Sequence, residues 1–162
     1  MVVQTKRAVP GALDLAYLSL FLGLRVNQLV MSGMAKAGFK GLRESHGYLI
    51  QHLIESERSI TELARRMDVT QQAASKAVAE LVNLGIVEAS VAEDRRARRV
   101  RLSELGWQAV KLGRSSRKRL DKRIVRAVGP TNYSKAKATL LMCLEELGGV
   151  AAIRSRRIRA PR

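Results

Sequence analysis

The stretch Glu93–Gly106, EDRRARRVRLSELG, crowds five arginines into the seven residues from 95 to 101. Its centre also alternates, with Val100 and Leu102 on one side and arginines on the other. Such alternation is typical of a strand with one buried face. We therefore predict a short strand that is anchored by its apolar side and presents guanidinium groups on its free side.

The residues just before this stretch complete a hairpin. Ile86–Val91 alternates in the same way, and the polar segment Ala92–Ala97 lies between the two alternating runs. Two such runs around a polar turn predict a two-stranded β-hairpin with a charged tip, which we call the wing. We interpret Asp94 as a brace for a neighbouring arginine such as Arg96, because a carboxylate aimed at phosphate would be repelled.

Two short helices separated by a tight turn precede the wing. Ser59 and Glu62 have the spacing of a capping box and open the first helix, or Thr61 caps it one step later, and the helix reaches the turn at Asp68. Thr70 is the N-cap of the second helix, predicted over Gln71–Leu84. These helices alone fit a helix-turn-helix and an ordinary helical hairpin equally well, and the adjoining wing favours the helix-turn-helix.

The second helix separates its residues by polarity. Helical periodicity turns Ala74, Val78 and Leu81 inward. The outward positions carry hydrogen-bonding side chains, namely Gln71, Gln72, Ser75 and Lys76.

Composition bounds the class of protein. The 162 residues are 46% hydrophobic but only 4% aromatic, which favours a largely helical fold with an aliphatic core. The net charge is +16. A clustered excess of this size predicts an anionic partner, with nucleic acid first and an anionic membrane surface second. The remaining alternative is a soluble protein with a highly charged surface.

The predicted helices outside the wing region form a second part of the molecule. The first helix, Gly11–Lys36, is apolar on two faces, which in so small a protein suggests a partner subunit. Its apolar run Leu15–Leu24 has ten residues, about half of a membrane span, so we interpret it as a buried helix. Ser103 caps a long basic helix to Val128, and a last helix covers Asn132–Leu147.

The chain divides accordingly. We predict a mainly α fold with a small β-hairpin wing, in which a winged helix-turn-helix domain adjoins a helical dimerisation domain. The boundaries are an arm at 1–10, a dimerisation domain at 11–40 and 104–150, a DNA-binding domain at 41–103 and a basic tail at 151–162. The basic patch Arg114–Arg126 either widens the DNA footprint or is solvated helix surface, and the pattern leaves both open.

Nothing in the sequence predicts an enzyme or a cofactor. We find no acid pair, nucleophile–base pair or glycine-rich phosphate loop. His46 and His52 are six residues apart and face different directions on a helix, so we expect surface or boundary residues rather than metal ligands. Cys143 is the single cysteine, which excludes an internal disulfide and is interpreted as a small packing residue.

Read in order, these elements resemble the multiple antibiotic resistance regulator (MarR) family of winged helix-turn-helix transcription factors. Three stretches carry the resemblance. They are ITELARRMDVTQQAASKAVAELVNLGIVE at 60–88, DRRARRVRLSELG at 94–106 and LLMCLEEL at 140–147. Two features depart from the family pattern: Ala89-Ser90 stands where an arginine is frequent, and the long helix is unusually basic.

The resemblance implies a bacterial, cytoplasmic, nucleoid-associated homodimer that binds a pseudo-palindromic duplex and is released from it by a small-molecule effector. We assign phosphate contacts mainly to Thr70, Lys76 and the cations of the long helix, and adenine contacts to Gln71 and Gln72. The complete predicted DNA-binding set is Thr70, Gln71, Gln72, Ser75, Lys76, Arg95, Arg96, Arg98 and Arg99.

The effector pocket is expected between the DNA-binding lobe and the dimerisation domain. Its candidate lining residues are amphipathic, and core or interface packing is the alternative for each of them. They are Tyr17, His46, Tyr48 and Trp107. The rival function is a sequence-tolerant architectural protein that binds DNA or RNA through charge alone.

Overall fold

A computed structural model describes residues 13–90 and 99–155. The predicted class is confirmed: helices surround a small antiparallel sheet. The elements are α1 (Leu15–Lys36), α2 (Glu44–Glu55), β1 (Arg58–Ser59), α3 (Ile60–Met67), α4 (Gln71–Asn83), β2 (Val87–Ala89), β3 (Arg99–Leu102), α5 (Glu104–Val128), α6 (Pro130–Glu146) and α7 (Val150–Ser155).

The sheet contains a third strand that the sequence pattern does not predict. Strands β2 and β3 pair antiparallel as the wing requires, with Val87 opposite Leu102. The two-residue strand β1 adds to the other edge of β3, with Arg58 opposite Val100, and gives the order β1-β3-β2. Two residues are too few to show alternation, so β1 is recognised by its pairing with β3 and could not be predicted from its own sequence.

The helix-turn-helix helices form as their capping signals predict. The Ser59 side chain accepts the N–H of Glu62 while the Glu62 carboxylate accepts the N–H of Ser59, so both halves of the capping box are present. Asp68 ends α3 in the left-handed conformation, with φ of 56°. The Thr70 hydroxyl then caps α4 by accepting the N–H of Ala73 at 3.1 Å.

The core lies beneath the helix-turn-helix and the wing. Its fully buried side chains come from α2, α3, α4 and the segment before β2, and Ala109 and Val110 of α5 close it from the far side. Those fully buried residues are Leu49, Leu63, Leu81 and Ile86.

Two helices outside this core bear on the sequence-based expectations. Val30 and Met34 are the buried residues of α1, and Leu15–Leu24 is exposed in the single chain, so its burial by a partner subunit stays a prediction. By length and composition α1 would also suffice to cross a membrane, a property shared by core helices of soluble proteins. Helix α6 begins at Pro130 rather than Asn132, because proline is well suited to the first helical turn.

Candidate nucleic-acid interface

The α4 helix presents a polar surface built by its own periodicity. Ala74, Val78 and Leu81 are buried against the core, as predicted. The opposite positions Gln71, Gln72, Ser75 and Lys76 are all exposed, and Thr70 at the N-cap is exposed beside them. These five residues form one contiguous patch at the N-terminal half of α4, which we call the α4 surface. It offers carboxamide, hydroxyl and ammonium groups together.

The wing is anchored by its apolar side. Val87, Val100 and Leu102 are 2%, 6% and 5% exposed. The Ser90 hydroxyl donates to the Glu57 carboxylate at 2.5 Å, which ties the end of the β2 segment to the residue before β1. The hairpin is therefore held on both edges at its base.

The arginines at the wing base have carboxylate partners. Arg101 pairs with Glu88 across the hairpin at 2.9 Å. Arg99 lies 3.9 Å from Glu62 of α3 and donates to the Glu57 carbonyl at 3.4 Å. Hydrogen bonds from Ser59, with a smaller effect of the Arg99 charge, lower the pKa of Glu62, so this carboxylate is a stable anionic partner at neutral pH.

The tip of the wing lies outside the described residues. This covers the predicted DNA contacts Arg95, Arg96 and Arg98 and the Asp94 brace. Arg99, the fourth predicted wing contact, is described and half-buried, with its guanidinium directed at α3.

Two small residues after β3, Ser103 and Gly106, account for part of the stretch DRRARRVRLSELG at 94–106. The Ser103 hydroxyl accepts the N–H of Gly106 at 3.0 Å and donates to the Gly85 carbonyl at 2.5 Å, so it caps α5 and closes the turn before β2. A Cβ at Gly106 would lie 2.2 Å from the Ile86 carbonyl oxygen. Glycine is therefore required at position 106 for α5 to pass this close to the chain entering β2.

A cavity of about 360 Å³ lies between α1, α2 and α5. Of the four candidate pocket residues, Tyr48 lines it, whereas Tyr17, His46 and Trp107 do not. Tyr17 and Trp107 are about half exposed on α1 and α5. The lining residues that the sequence did not single out include Asn27, Val30, Met31, Met34, Leu42, Arg43, Glu44, Ile50, Gln51, Val110, Arg114 and Arg117.

The two histidines are buried, so their expected surface or boundary position is wrong. Each is only 2% exposed. His46 lies in a cluster with Arg43 and Glu80: its Nδ1 accepts the backbone N–H of Arg43 at 3.2 Å, and its Nε2 is 3.0 Å from the Glu80 carboxylate of α4. Burial, followed by the charge of Arg43, lowers the pKa of His46. The neutral ring with its proton on Nε2 satisfies both contacts.

The basic patch on α5 is exposed for most of its length. Helix α5 carries eight cations against two carboxylates. Arg119 donates to the Ser115 and Ser116 hydroxyls, and Arg114 and Arg117 line the cavity. Within residues 13–90 and 99–155, no ion pair forms on these eight side chains. In the same ranges, no group of three His, Cys, Asp or Glu residues is placed to hold a metal ion.

The fold and this surface define a winged helix-turn-helix protein. Residues 40–97 match the model of the MarR family. The YusO protein of Bacillus subtilis is 18% identical, with 79% of this chain and 91% of that chain covered and a TM-score of 0.65. A MarR family protein from Bacillus stearothermophilus is 16% identical, with 85% and 99% covered and a TM-score of 0.65.

A third similar structure is the Staphylococcus aureus regulator MepR in a mutant form bound to an oligodeoxyribonucleotide. It is 16% identical, with 84% of this chain and 99% of that chain covered and a TM-score of 0.62. A search of curated proteins finds no match to the sequence. The matched segment contains the helix-turn-helix and the first half of the wing, and the remaining described elements have the fold of MarR structures. Residues 40–97 are therefore similar to the MarR family, and the described chain has the winged-helix fold of the MarR structures.

Proposed function

We propose that the protein binds pseudo-palindromic duplex DNA as a homodimer and acts as a repressor that a small-molecule effector releases. The observation that carries this proposal is the α4 surface, which exposes hydrogen-bonding side chains beside the base of an arginine-rich wing. MepR, a structural neighbour, has been captured with an oligodeoxyribonucleotide and, in another structure, with ethidium bromide.

The contacts divide by chemistry. Gln71 and Gln72 have carboxamides that pair with N6 and N7 of adenine in the major groove. Thr70 and Lys76 are suited to phosphate, which positions the protein without reading sequence. The wing arginines at 95, 96, 98 and 99 are suited to a narrow minor groove and its phosphates. Two-fold symmetry then places the half-sites about one helical turn, roughly 34 Å, apart.

A salt titration tests DNA binding. If each protomer neutralises about four phosphates, log K falls with log salt at a slope of about −7. Fluorescence anisotropy of a labelled duplex measures this slope, and a slope near zero contradicts the proposal. Gln72→Ala is expected to relax preference at one base pair, whereas Arg95→Ala and Arg98→Ala weaken binding to every sequence. Equal behaviour of all three variants contradicts this division of contacts.

The second candidate function is a sequence-tolerant architectural protein for DNA or RNA. The observation that favours it is the unpaired cationic length of α5, which extends the positive surface away from the wing. Competition against random DNA separates the two candidates, because a regulator should prefer its operator by a factor of roughly 10³ or more. A ratio near one supports the architectural role instead. The proposed regulatory function places the protein in the cytoplasm, associated with DNA.

A further inference from the structure

A row of cations lies along one exposed side of α5. Its members are three or four positions apart, which places them on the same side of a helix. They are Lys111, Arg114, Lys118, Lys122 and Arg126, and all five are exposed. We call this row the α5 stripe. From its first to its last member the helix rises about 22 Å.

The α5 stripe keeps its positive charge. Helix α5 carries two carboxylates, Glu104 and Asp121. Glu104 lies in the first turn, about 10 Å before Lys111 along the axis. Asp121 accepts a hydrogen bond from the Tyr133 hydroxyl of α6. Among the residues that the structure describes, no carboxylate forms an ion pair with the stripe, so its like charges repel one another and favour an anionic partner.

The α5 stripe is distinct from the α4 surface. Helix α5 packs against α1 and α6, whereas α4 packs against α2, α3 and β2. The first residue of α5, Glu104, lies at the wing base, and Arg126 is about 33 Å further along the helix axis. The stripe therefore leads away from the wing base and from the residues that we assign to the operator.

The proposed homodimer leaves the stripe accessible. A second copy of the chain covers exposed apolar side chains of α1 and α6, such as Leu22 and Leu141. Burying an ammonium or guanidinium group without a carboxylate partner is strongly unfavourable. A subunit that packs on the apolar side chains should therefore leave the cations of the stripe in water.

The surroundings of the stripe favour the phosphates of a duplex over a membrane. A helix that lies on a membrane carries large apolar side chains that enter the lipid. Between positions 111 and 126, the large apolar residues of α5 are instead all partly buried in the protein, namely Leu112, Leu120, Ile124 and Val125. A DNA duplex presents about one phosphate charge per 1.7 Å of its axis, so a row of about 22 Å faces enough phosphates to pair every cation.

We propose, building on the proposed function, that the α5 stripe is a second DNA-binding surface, which holds the phosphate backbone of a separate duplex. Contacts of lysine and arginine with phosphate carry no sequence information, so this second duplex is bound whatever its sequence. A dimer that is held at its operator by the α4 surface then joins the operator to another DNA segment.

A capture assay on the full chain tests the second surface. One short duplex of random sequence is immobilised on beads, the protein is added, and retention of a second, fluorescent duplex is measured across a salt series. The stripe variant is Lys118→Gln/Lys122→Gln/Arg126→Gln. It should retain at least about tenfold less of the fluorescent duplex than the wild type, with a salt slope shallower by about 3, because each phosphate contact contributes about 0.9.

The matched control removes three exposed cations outside the stripe. It is Lys36→Gln/Lys40→Gln/Lys135→Gln, which has the same net charge as the stripe variant. The control should capture the second duplex as the wild type does. Both triple variants should bind a single duplex equally in an anisotropy titration, since neither changes the α4 surface or the wing.

Four outcomes overturn the second surface. The wild type captures no fluorescent duplex. The two triple variants capture it equally, as they would if the two α4 surfaces of a dimer held one duplex each. The stripe variant binds a single duplex more weakly than the control does, which places the stripe on the operator duplex. The stripe variant loses binding to phosphatidylglycerol vesicles but keeps its capture of DNA, which assigns the stripe to a membrane surface.

The second surface and the proposed function fail separately. A wild type that binds no single duplex in the anisotropy titration removes the proposed function, whatever the beads retain. A wild type that binds a single duplex with a steep salt slope but captures no second one preserves the proposed function and overturns the second surface.

Discussion

The two lobes of the molecule bury their apolar residues in different ways. The winged-helix lobe, from α2 to β3, buries its apolar residues within the chain: Leu49, Leu63 and Leu81 are completely inaccessible to solvent. In the helical lobe, no residue of α6 is buried, and the N-terminal half of α1 is exposed throughout. Its exposed large apolar side chains include Leu15, Tyr17, Leu18, Leu20, Phe21, Leu22, Leu24, Leu141, Met142, Leu144, Leu147 and Ile153.

The apolar side chains of the winged-helix lobe are therefore buried within one chain, whereas those on α1 and α6 are not. So many exposed large apolar side chains on two long helices are more than a soluble monomer ordinarily presents to water. In the proposed homodimer, a second copy of the chain covers these side chains. The winged-helix lobe then has intrinsic stability, whereas the stability of the helical lobe depends on protein concentration.

The largest expected effect is in the closed lobe. Leu81→Ala removes a fully buried side chain from α4 and should lower the free energy of unfolding by about 3 kcal/mol, through lost burial and the cavity left behind. Urea unfolding measures the change. The neighbouring Val82 is 45% exposed, so Val82→Ala should change stability by less than about 0.5 kcal/mol. Equal losses of stability in the two variants would contradict the assignment of Leu81 to the buried face of α4.

The next effect is in the helical lobe. Leu141→Lys places a charge on the exposed apolar surface of α6 and should raise the dimer dissociation constant by about 100-fold, because an unpaired ammonium would be buried at the interface. Sedimentation equilibrium across a dilution series measures it. Val82→Lys introduces the same charge at a similarly exposed position of the closed lobe and should leave the dimer intact. A wild type that is monomeric at all concentrations would contradict the proposal that a second copy covers the helical lobe.

The contrast between the lobes also explains which features of the fold could be predicted from the sequence. Capping and periodicity are local, so Thr70 and Ser103 were placed correctly as N-caps, and the buried face of α4 followed from its spacing. Of the two candidate caps for α3, Ser59 and Thr61, the structure has Ser59. The wing strands were predicted because alternation is local as well. The burial of Leu15–Leu24 was predicted too, but the single chain leaves this run exposed. An apolar pattern reports that a face is apolar and does not report which chain covers it.

Contacts between distant residues account for the remaining differences. Arg43 and Glu80 are separated by 37 positions, and no signal along the chain pairs them. The burial of His46 and His52 was missed for the same reason, because the sequence does not show which elements pack against a histidine, such as α4 with Glu80 against His46. Gly106 closes the stretch 94–106 that carries the family resemblance, but the physical reason for a glycine there, the approach of the Ile86 carbonyl, can be seen only in the fold.

The smallest effect concerns the coupling of His46 to pH. Burial and the Arg43 charge lower the pKa of His46 in the folded chain below its ordinary value of 6.5, despite the adjacent Glu80 carboxylate. The unfolded chain therefore takes up this proton first as the pH falls, and stability declines as the pH drops through about 6.5. Urea unfolding from pH 8 to pH 5 should show a shallower decline in His46→Gln than in the wild type. His52 is retained in both proteins, so the difference reports on His46, and identical pH profiles would place the His46 pKa at its ordinary value.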